Sequence, residues 1–202
     1  MISTDNILFI EKSAIQEASK SLTKEDIQLL IEWLSLKDDK IRYQAFQLLQ
    51  QRSEFSEDVC FYWDVLRNKL KSDNSYQRSI GLMLIAENAK WASKEMLEEI
   101  MQEYLELLHD EKPITVRQCI QSITKITPFA AELNDTIIKS LISLDIMGVK
   151  ETMRKSILTD ILTALIEIRK EYQRDEIDHY MIHALNGGIL DKKTKGLFQK
   201  LL

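Results

Sequence analysis

The chain has 202 residues, enough to bury a large core as one domain or as one array of repeats. Its 5 glycines and 2 prolines are too few for a turn-rich β architecture, and its 45% hydrophobic and 29% charged residues exclude a disordered chain. The formal net charge of -5 argues against a general nucleic-acid binder, because neutralising phosphates takes a clearly basic surface.

The amino terminus predicts no secretory or membrane segment. The opening MISTDNILFIEK lacks a basic stretch before an apolar one, and no apolar run approaches the ~20 residues that a membrane-spanning helix needs. Cys60 and Cys119 each lie alone within an apolar helical pattern. We therefore expect a cytoplasmic protein with two reduced core cysteines and no membrane partner.

Helical patterns follow one another along the chain. Residues 5–20 suggest one N-terminal helix within a cap over 1–22. Apolar stripes at helical spacing then precede three acidic turns. Their members are Ile27, Leu30, Ile31 and Leu34; Val59, Tyr62, Trp63, Leu66 and Leu70; and Leu97, Ile100, Met101, Tyr104, Leu105 and Leu108.

An arginine followed by a second apolar helix comes after each acidic turn. The pattern occurs in LKDDKIRYQAF, LKSDNSYQRSI, LHDEKPITVRQCI and, more loosely, MGVKETMRKSI, and its arginines are Arg42, Arg78, Arg117 and Arg154. Successive arginines are 36, 39 and 37 residues apart. This period indicates stacked helical hairpins, because a lone hairpin cannot bury two apolar stripes.

The spacing predicts a single repeat domain over 1–202. We expect repeats at about 23–55, 56–92, 93–130 and 131–170, followed by C-terminal cap helices over 171–202. The first of those cap helices is expected to stop at Gly187 and Gly188, and a short basic helix is expected after it.

The helix, acidic turn, arginine and apolar helix together resemble HEAT repeats over roughly residues 23–170, and DEKPITVRQCIQSI is the best match. The resemblance implies an all-α, armadillo-like fold: a right-handed α-α superhelix, or solenoid, of stacked antiparallel hairpins. It also implies that the turn acids and the arginines are mostly structural. Asp39, Asp73 and Asp110 also stand where a side-chain oxygen could cap the next helix. The second repeat departs from the pattern at Gln77, where an aliphatic residue is expected.

Motifs for nucleotide binding or nucleophilic catalysis are absent from the sequence. The sharpest constellation is Asp175, His179 and His183, which the helical spacing places on one face as three possible metal ligands. The apolar stripe of that helix points the other way, so we interpret the three as a solvated outer face. We expect no metal and no cofactor.

Three tryptophans raise an enzymatic alternative. Alkylpurine DNA glycosylases built from HEAT-like repeats use aromatic and acidic residues in a basic groove. Here Trp63 lies in an apolar stripe, Trp33 and Trp91 lie near helix ends, and no dense Lys/Arg face accompanies them. Packing is the favoured interpretation, and a glycosylase acting on alkylated purines stays as the alternative.

The predicted function is a non-enzymatic interaction scaffold. The arginine-led helices would line a concave face, where polar side chains between the apolar stripes are not needed in the core. The candidate binding residues on that face are Arg42, Gln44, Gln77, Arg78, Arg117, Gln118, Gln121 and Arg154. Such a mixed groove suits a peptide or protein segment better than phosphate, and no small-molecule substrate is expected.

Overall fold

A computed structural model describes residues 2–201, and every regular element in that range is a helix. The chain divides into two units, the first ending at Ser93 and the second beginning at Lys94. This division falls beside the predicted boundary between the second and third repeats, and the single-domain organisation stays a prediction. No helix within 2–201 is long and apolar enough to cross a lipid bilayer.

The first unit is built from two helical hairpins and an N-terminal segment. Its α-helices among the described residues are α1 (Thr4–Ile7), α2 (Ile15–Lys20), α3 (Lys24–Trp33), α4 (Asp39–Ser53), α5 (Trp63–Leu70) and α6 (Ser75–Asn88). Helix α3 packs on α4, α5 packs on α6, and α4 packs on α6. The two arginine-led helices of this unit, α4 and α6, therefore lie side by side, and their apolar stripes contribute to one buried core.

The second unit repeats this arrangement. Its α-helices are α7 (Lys94–Glu106), α8 (Pro113–Ile123), α9 (Asn134–Ile142), α10 (Glu151–Glu171), α11 (Asp175–Asn186) and α12 (Lys192–Phe198). Helix α8 packs on the 3₁₀ turn that continues α7 and on α10, which also contacts α9 and α11. All six apolar positions predicted between Leu97 and Leu108 are buried.

Helices α5 and α6 approach each other closely at Gly81. A Cβ atom at this position would lie 3.0 Å from the backbone oxygen of Leu66 and 3.0 Å from Cδ2 of Leu70. The glycine is therefore required by helix–helix contact and not by an unusual backbone conformation.

The N-terminal segment is not the single helix expected over residues 5–20. Helix α1 ends at Ile7, the backbone is extended at Glu11, and helical structure resumes in a 3₁₀ turn and α2. The backbone oxygen of Ile10 accepts a hydrogen bond of 2.7 Å from Gln44 Nε2 on α4, so a tertiary contact replaces an intrahelical one. The break lets both Ile7 and Ile15 enter the core.

Two helix caps fall on neighbours of the predicted residues. Asp38 caps α4 by accepting from the N–H groups of Lys40 and Ile41, and Asn74 caps α6 by accepting from the N–H of Tyr76. Asp39 is instead the first residue of α4.

The helix cap predicted at Asp110 is wrong, and the helix stop predicted at Gly187 and Gly188 is confirmed. Asp110 accepts from the N–H of Lys112, before α8 begins at Pro113, so it is not a helix cap. The stop after α11 is confirmed, since Gly187 is its C-cap.

Cys60 and Cys119 are free and buried. The thiol of Cys119 donates to the backbone oxygen of Tyr104 at 3.3 Å, which joins α8 to α7. Burial raises the pKa of both thiols, which disfavours their reactive thiolate form.

Candidate functional site

Arg42 is the fourth residue of α4 and is only 8% exposed. Its Nη1 donates to the backbone oxygen of Leu36 at 2.9 Å, and its Nη2 pairs with the exposed carboxylate of Asp39. The guanidinium carbon also lies 5.6 Å from the centre of the Tyr76 ring on α6. Arg42 therefore holds the turn between α3 and α4 and joins α4 to α6.

Arg78 and Arg154 are also fourth residues of their helices and also donate to the preceding turn. Arg78 Nη1 donates to the backbone oxygens of Ser72 at 2.7 Å and Asp73 at 3.1 Å. Arg154 donates through Nη2 to Met147 at 2.7 Å and through Nε to Val149 at 3.0 Å. These carbonyl oxygens offset the unfavourable position of a cation near a helix N-terminus.

Arg117 has a different partner. It is the fifth residue of α8, because the helix opens one residue earlier at Pro113. One residue turns a side chain by about 100° around the helix. Its Nε and Nη2 donate to the two carboxylate oxygens of Asp160 on α10, at 2.5 and 3.2 Å, and this bonding raises the pKa of Arg117. Gln121 donates to the same carboxylate at 2.9 Å.

The contacts of Gln77 explain why a glutamine stands where the repeat pattern predicts an aliphatic residue. Its Nε2 donates to the backbone oxygen of Leu34 at 2.6 Å, and its Oε1 accepts from Lys69 Nζ at 2.6 Å. Lys69, on α5, also donates to Ser35 Oγ at 3.0 Å and is 6% exposed. Burial, helped by the charge of Arg42, lowers the pKa of Lys69 to about 8. A polar network thus links the turns of both hairpins.

Two glutamines on the arginine-led helices remain open to solvent. Gln47 on α4 and Gln118 on α8 are partly exposed, and neither carboxamide has a hydrogen-bond partner within residues 2–201. By contrast, the carboxamides of Gln44, Gln77 and Gln121 are engaged with the protein itself.

Two exposed tyrosines lie in the first two turns of α4 and α6. Tyr43 is 60% exposed and Tyr76 is 67% exposed. Tyr43 directly follows Arg42, Tyr76 lies beside the Arg42 guanidinium, and Gln47 lies one helical turn beyond Tyr43. We name Tyr43, Gln47 and Tyr76 the tyrosine patch.

The eight predicted binding residues are thus divided by their surroundings. The four arginines, Gln44, Gln77 and Gln121 make contacts that hold the fold, and Gln118 faces solvent without a partner among the described residues. A role in recognition stays a prediction for all eight.

The sequence reasoning missed the tyrosine patch, Lys69 and Asp160. Lys69 was detectable, since it stands three residues after Leu66, where the helical stripe calls for an apolar side chain.

The three tryptophans lie in the first unit and differ in burial, from the buried Trp63 to the exposed Trp91. Trp63 is buried, and Trp33 is half-buried at the end of α3. Trp91 Nε1 donates to the backbone oxygen of Ser53 at 2.8 Å, which joins the chain after α6 to the end of α4. On α11 the side chains of Asp175, His179 and His183 are exposed, and no group of three His, Cys, Asp or Glu within residues 2–201 is arranged to hold a metal ion.

Comparison with known proteins shows the fold. No protein-family model and no curated protein matches the sequence. A designed armadillo repeat protein in complex with the peptide (KR)4 matches with a TM-score of 0.59 and 13% identity, over 98% of this chain and 97% of that one. The chain has an armadillo-like helical repeat fold. The predicted class, an all-α solenoid of helical hairpins, is confirmed.

Two other solved structures agree with this armadillo-like fold. A second designed armadillo repeat protein matches with a TM-score of 0.55 and 13% identity, over 99% of this chain and 98% of that one. The protein smu.31 from Streptococcus mutans UA159 matches with a TM-score of 0.50 and 19% identity, over 98% and 96% of the two chains. At these identities the likeness concerns the fold alone.

Proposed function

We propose that this protein is a non-enzymatic, cytoplasmic interaction module that binds an extended peptide or protein segment on the face of its arginine-led helices. The tyrosine patch carries the proposal. Tyr43 and Tyr76 expose most of their surface to water. Tyrosine supplies large contact area with a polar tip at low entropic cost, and it is enriched where proteins bind other proteins.

The patch is held in place before any partner arrives. Arg42, which precedes Tyr43 in the chain, is fixed by the Leu36 carbonyl, and its guanidinium lies over the ring of Tyr76. A preorganised surface loses less conformational entropy on binding. The open carboxamide of Gln47 can pair with the backbone N–H and C=O groups of an extended segment, and Gln118 offers the same groups in the second unit.

The armadillo-like fold supports the same class of partner, since a solved protein with this fold is in complex with a peptide. Charges of both signs stand on the arginine-led helices, including Asp39 and Lys40 on α4 and Lys155 and Glu167 on α10. This mixture favours a polypeptide over the uniform negative charge of a nucleic-acid backbone.

The test uses peptides selected on the intact protein from a displayed random library. The double variant Tyr43→Ala/Tyr76→Ala should lose at least about tenfold in affinity for them, as expected when hot-spot tyrosines are truncated. Phe61→Ala is the matched control, because Phe61 is 73% exposed in the same unit but lies outside the arginine-led helices. Thermal unfolding of each variant shows that the fold is intact.

Two results would contradict the proposal. If the tyrosine double variant keeps its affinity for the peptides and Phe61→Ala loses it, the peptides bind a different face of the protein. Release of alkylated purines from damaged duplex DNA by the purified protein would replace the proposal with the glycosylase alternative. The burial of Trp63 argues against that outcome.

A further inference from the structure

Helix α12 and the turn that continues it expose apolar side chains among lysines. Leu197 is 60% exposed and Leu201 is 51% exposed, whereas Phe198 between them is buried. At about 100° per residue, Lys193, Leu197, Lys200 and Leu201 fall within about 100° around this segment. We name these four residues the basic face.

The basic face has no partner within the described part of its own chain. The ammonium groups of Lys193 and Lys200 contact no acid within residues 2–201. Lys195 on the same helix is engaged differently, since it donates to the backbone oxygen of Gly187 at 2.7 Å. Exposed leucines flanked by lysines make a short amphipathic surface, the kind that lies in a groove of a partner.

A groove of complementary charge lies between α7 and α9 in the same unit. Its volume is about 510 Å³, and the buried side chains of Met101 and Leu105 supply its apolar floor. Glu98 and Glu106 are exposed and line it from α7. Among the described lining residues, only His109 can carry a positive charge. We name this the α7/α9 groove.

The polar groups of the α7/α9 groove are open mainly as acceptors. The hydroxyls of Ser140 and Ser143 donate to the backbone oxygens of Thr136 at 2.9 Å and Ser140 at 3.1 Å. Gln102 Nε2 donates to Glu106 Oε1 at 3.5 Å. These donors are thus used within the protein, and the remaining hydroxyl, carbonyl and carboxylate oxygens suit ammonium groups.

The charges on the two surfaces have matching spacings. Glu98 and Glu106 are eight residues apart on α7, about 12 Å along the helix, and Lys193 and Lys200 are seven residues apart, about 10 Å. We propose that the basic face of one copy docks in the α7/α9 groove of a second copy. Its lysines face the two glutamates, and its leucines cover the apolar floor. Every chain carries both surfaces, so two copies can make this contact twice.

The first test is the oligomeric state of the full chain, measured by analytical ultracentrifugation over a concentration series. The wild type should self-associate, and raising sodium chloride from about 0.05 to 0.5 M should weaken the association several-fold by screening the charges. Leu197→Ser/Leu201→Ser should raise the dissociation constant at least about tenfold, because it removes the apolar part of the contact.

Charge reversal tests the pairing itself. Glu98→Lys/Glu106→Lys and Lys193→Glu/Lys200→Glu should each be monomeric alone, because like charges then meet. An equal mixture of the two should form mixed dimers, since each reversed surface fits the reversed surface of the other variant. Glu151→Lys, at the start of α10, is the control and should associate like the wild type. All five positions are exposed, so the fold should survive.

Three results would overturn the proposal. They are a monomeric wild type at every concentration up to about 1 mM, a mixture of the reversed variants that stays monomeric while both keep the circular dichroism spectrum of the wild type, and disruption by Glu151→Lys as strong as by the reversed variants. The tyrosine double variant separates this contact from peptide binding, because its changes lie in the first unit and should leave self-association unchanged.

Discussion

The two repeated arginines of the first unit share one structural task, and those of the second unit do not. In the first unit, Arg42 and Arg78 donate to the carbonyl oxygens of the turns that precede them. In the second unit, Arg154 does the same, but Arg117 pairs with Asp160 on the neighbouring helix. Arg117 is the fifth residue of its helix, because α8 begins at Pro113, whereas the other three arginines are fourth residues. The difference between them is thus one residue of helical register. An arginine that recurs in every repeat therefore identifies the repeat unit, but it does not reveal which group that arginine contacts.

The largest effect is expected at Arg42. Arg42→Ala leaves the Leu36 carbonyl without its donor and removes the contact with Tyr76, so the free energy of unfolding should fall by about 2 to 3 kcal/mol. Urea denaturation measures it. Asp39→Asn is the control and should cost less than about 1 kcal/mol, because the Asp39 carboxylate is exposed. Equal losses would mean that the ion pair, and not the carbonyl, holds this turn.

A smaller loss is expected at Arg117. Arg117→Ala leaves Asp160 with Gln121 as its donor, and Asp160 is largely buried, so unfolding should become easier by about 1 to 2 kcal/mol. Affinity for selected peptides, measured below the melting temperature, should not change. Loss of affinity at unchanged stability would instead assign Arg117 to recognition.

Gly81 tests how closely the hairpin of the first unit packs. Gly81→Ala places a Cβ 3.0 Å from the Leu66 oxygen, and the overpacking should exceed the helix propensity gained, for a net loss of about 1 kcal/mol. Gly196→Ala in α12 meets no atom within 4 Å and should be neutral or stabilising in the same denaturation assay. A stabilised Gly81→Ala protein would show that α5 and α6 can separate freely.

The smallest effect at neutral pH is expected at Lys69. Because its pKa is lowered to about 8 from 10.5, folding disfavours its charged form, and this penalty is fully present below pH 8. Between pH 8 and 10.5 the folded protein loses the proton while the unfolded chain keeps it, so stability rises with pH.

Lys69→Met should remove this rise and change stability at pH 7 by less than about 1 kcal/mol, since it removes both a buried charge and its hydrogen bonds. The measurement is the difference in unfolding free energy between wild type and variant across this pH range. A flat difference would contradict the burial of a charged Lys69.

The helical repeat could be predicted because it depends on local periodicity. The stripe from Leu97 to Leu108 follows helical spacing, and each of its members is buried. The break in the N-terminal segment was not predictable in this way, because it depends on Gln44, 34 residues away in the chain, reaching the Ile10 carbonyl.

The candidate site was less predictable than the fold. Spacing located all four arginines, but their partners depend on where each helix starts, and a one-residue shift moved Arg117 to Asp160. The exposure of Tyr43 and Tyr76 could not be predicted from the sequence either. Both look like possible core aromatics, and only the packing of the helices shows that they face solvent.

Two double-mutant cycles test the central claim that register sets the task of each arginine. One combines Arg117→Ala with Asp160→Asn, and the other combines Arg42→Ala with Asp39→Asn, with stability measured by urea denaturation. The bidentate pair should show a coupling of about 1 to 2 kcal/mol, and the Arg42 pair less than about 0.5 kcal/mol, because the main partner of Arg42 is a carbonyl. Equal couplings, or a larger one at Arg42, would contradict the account.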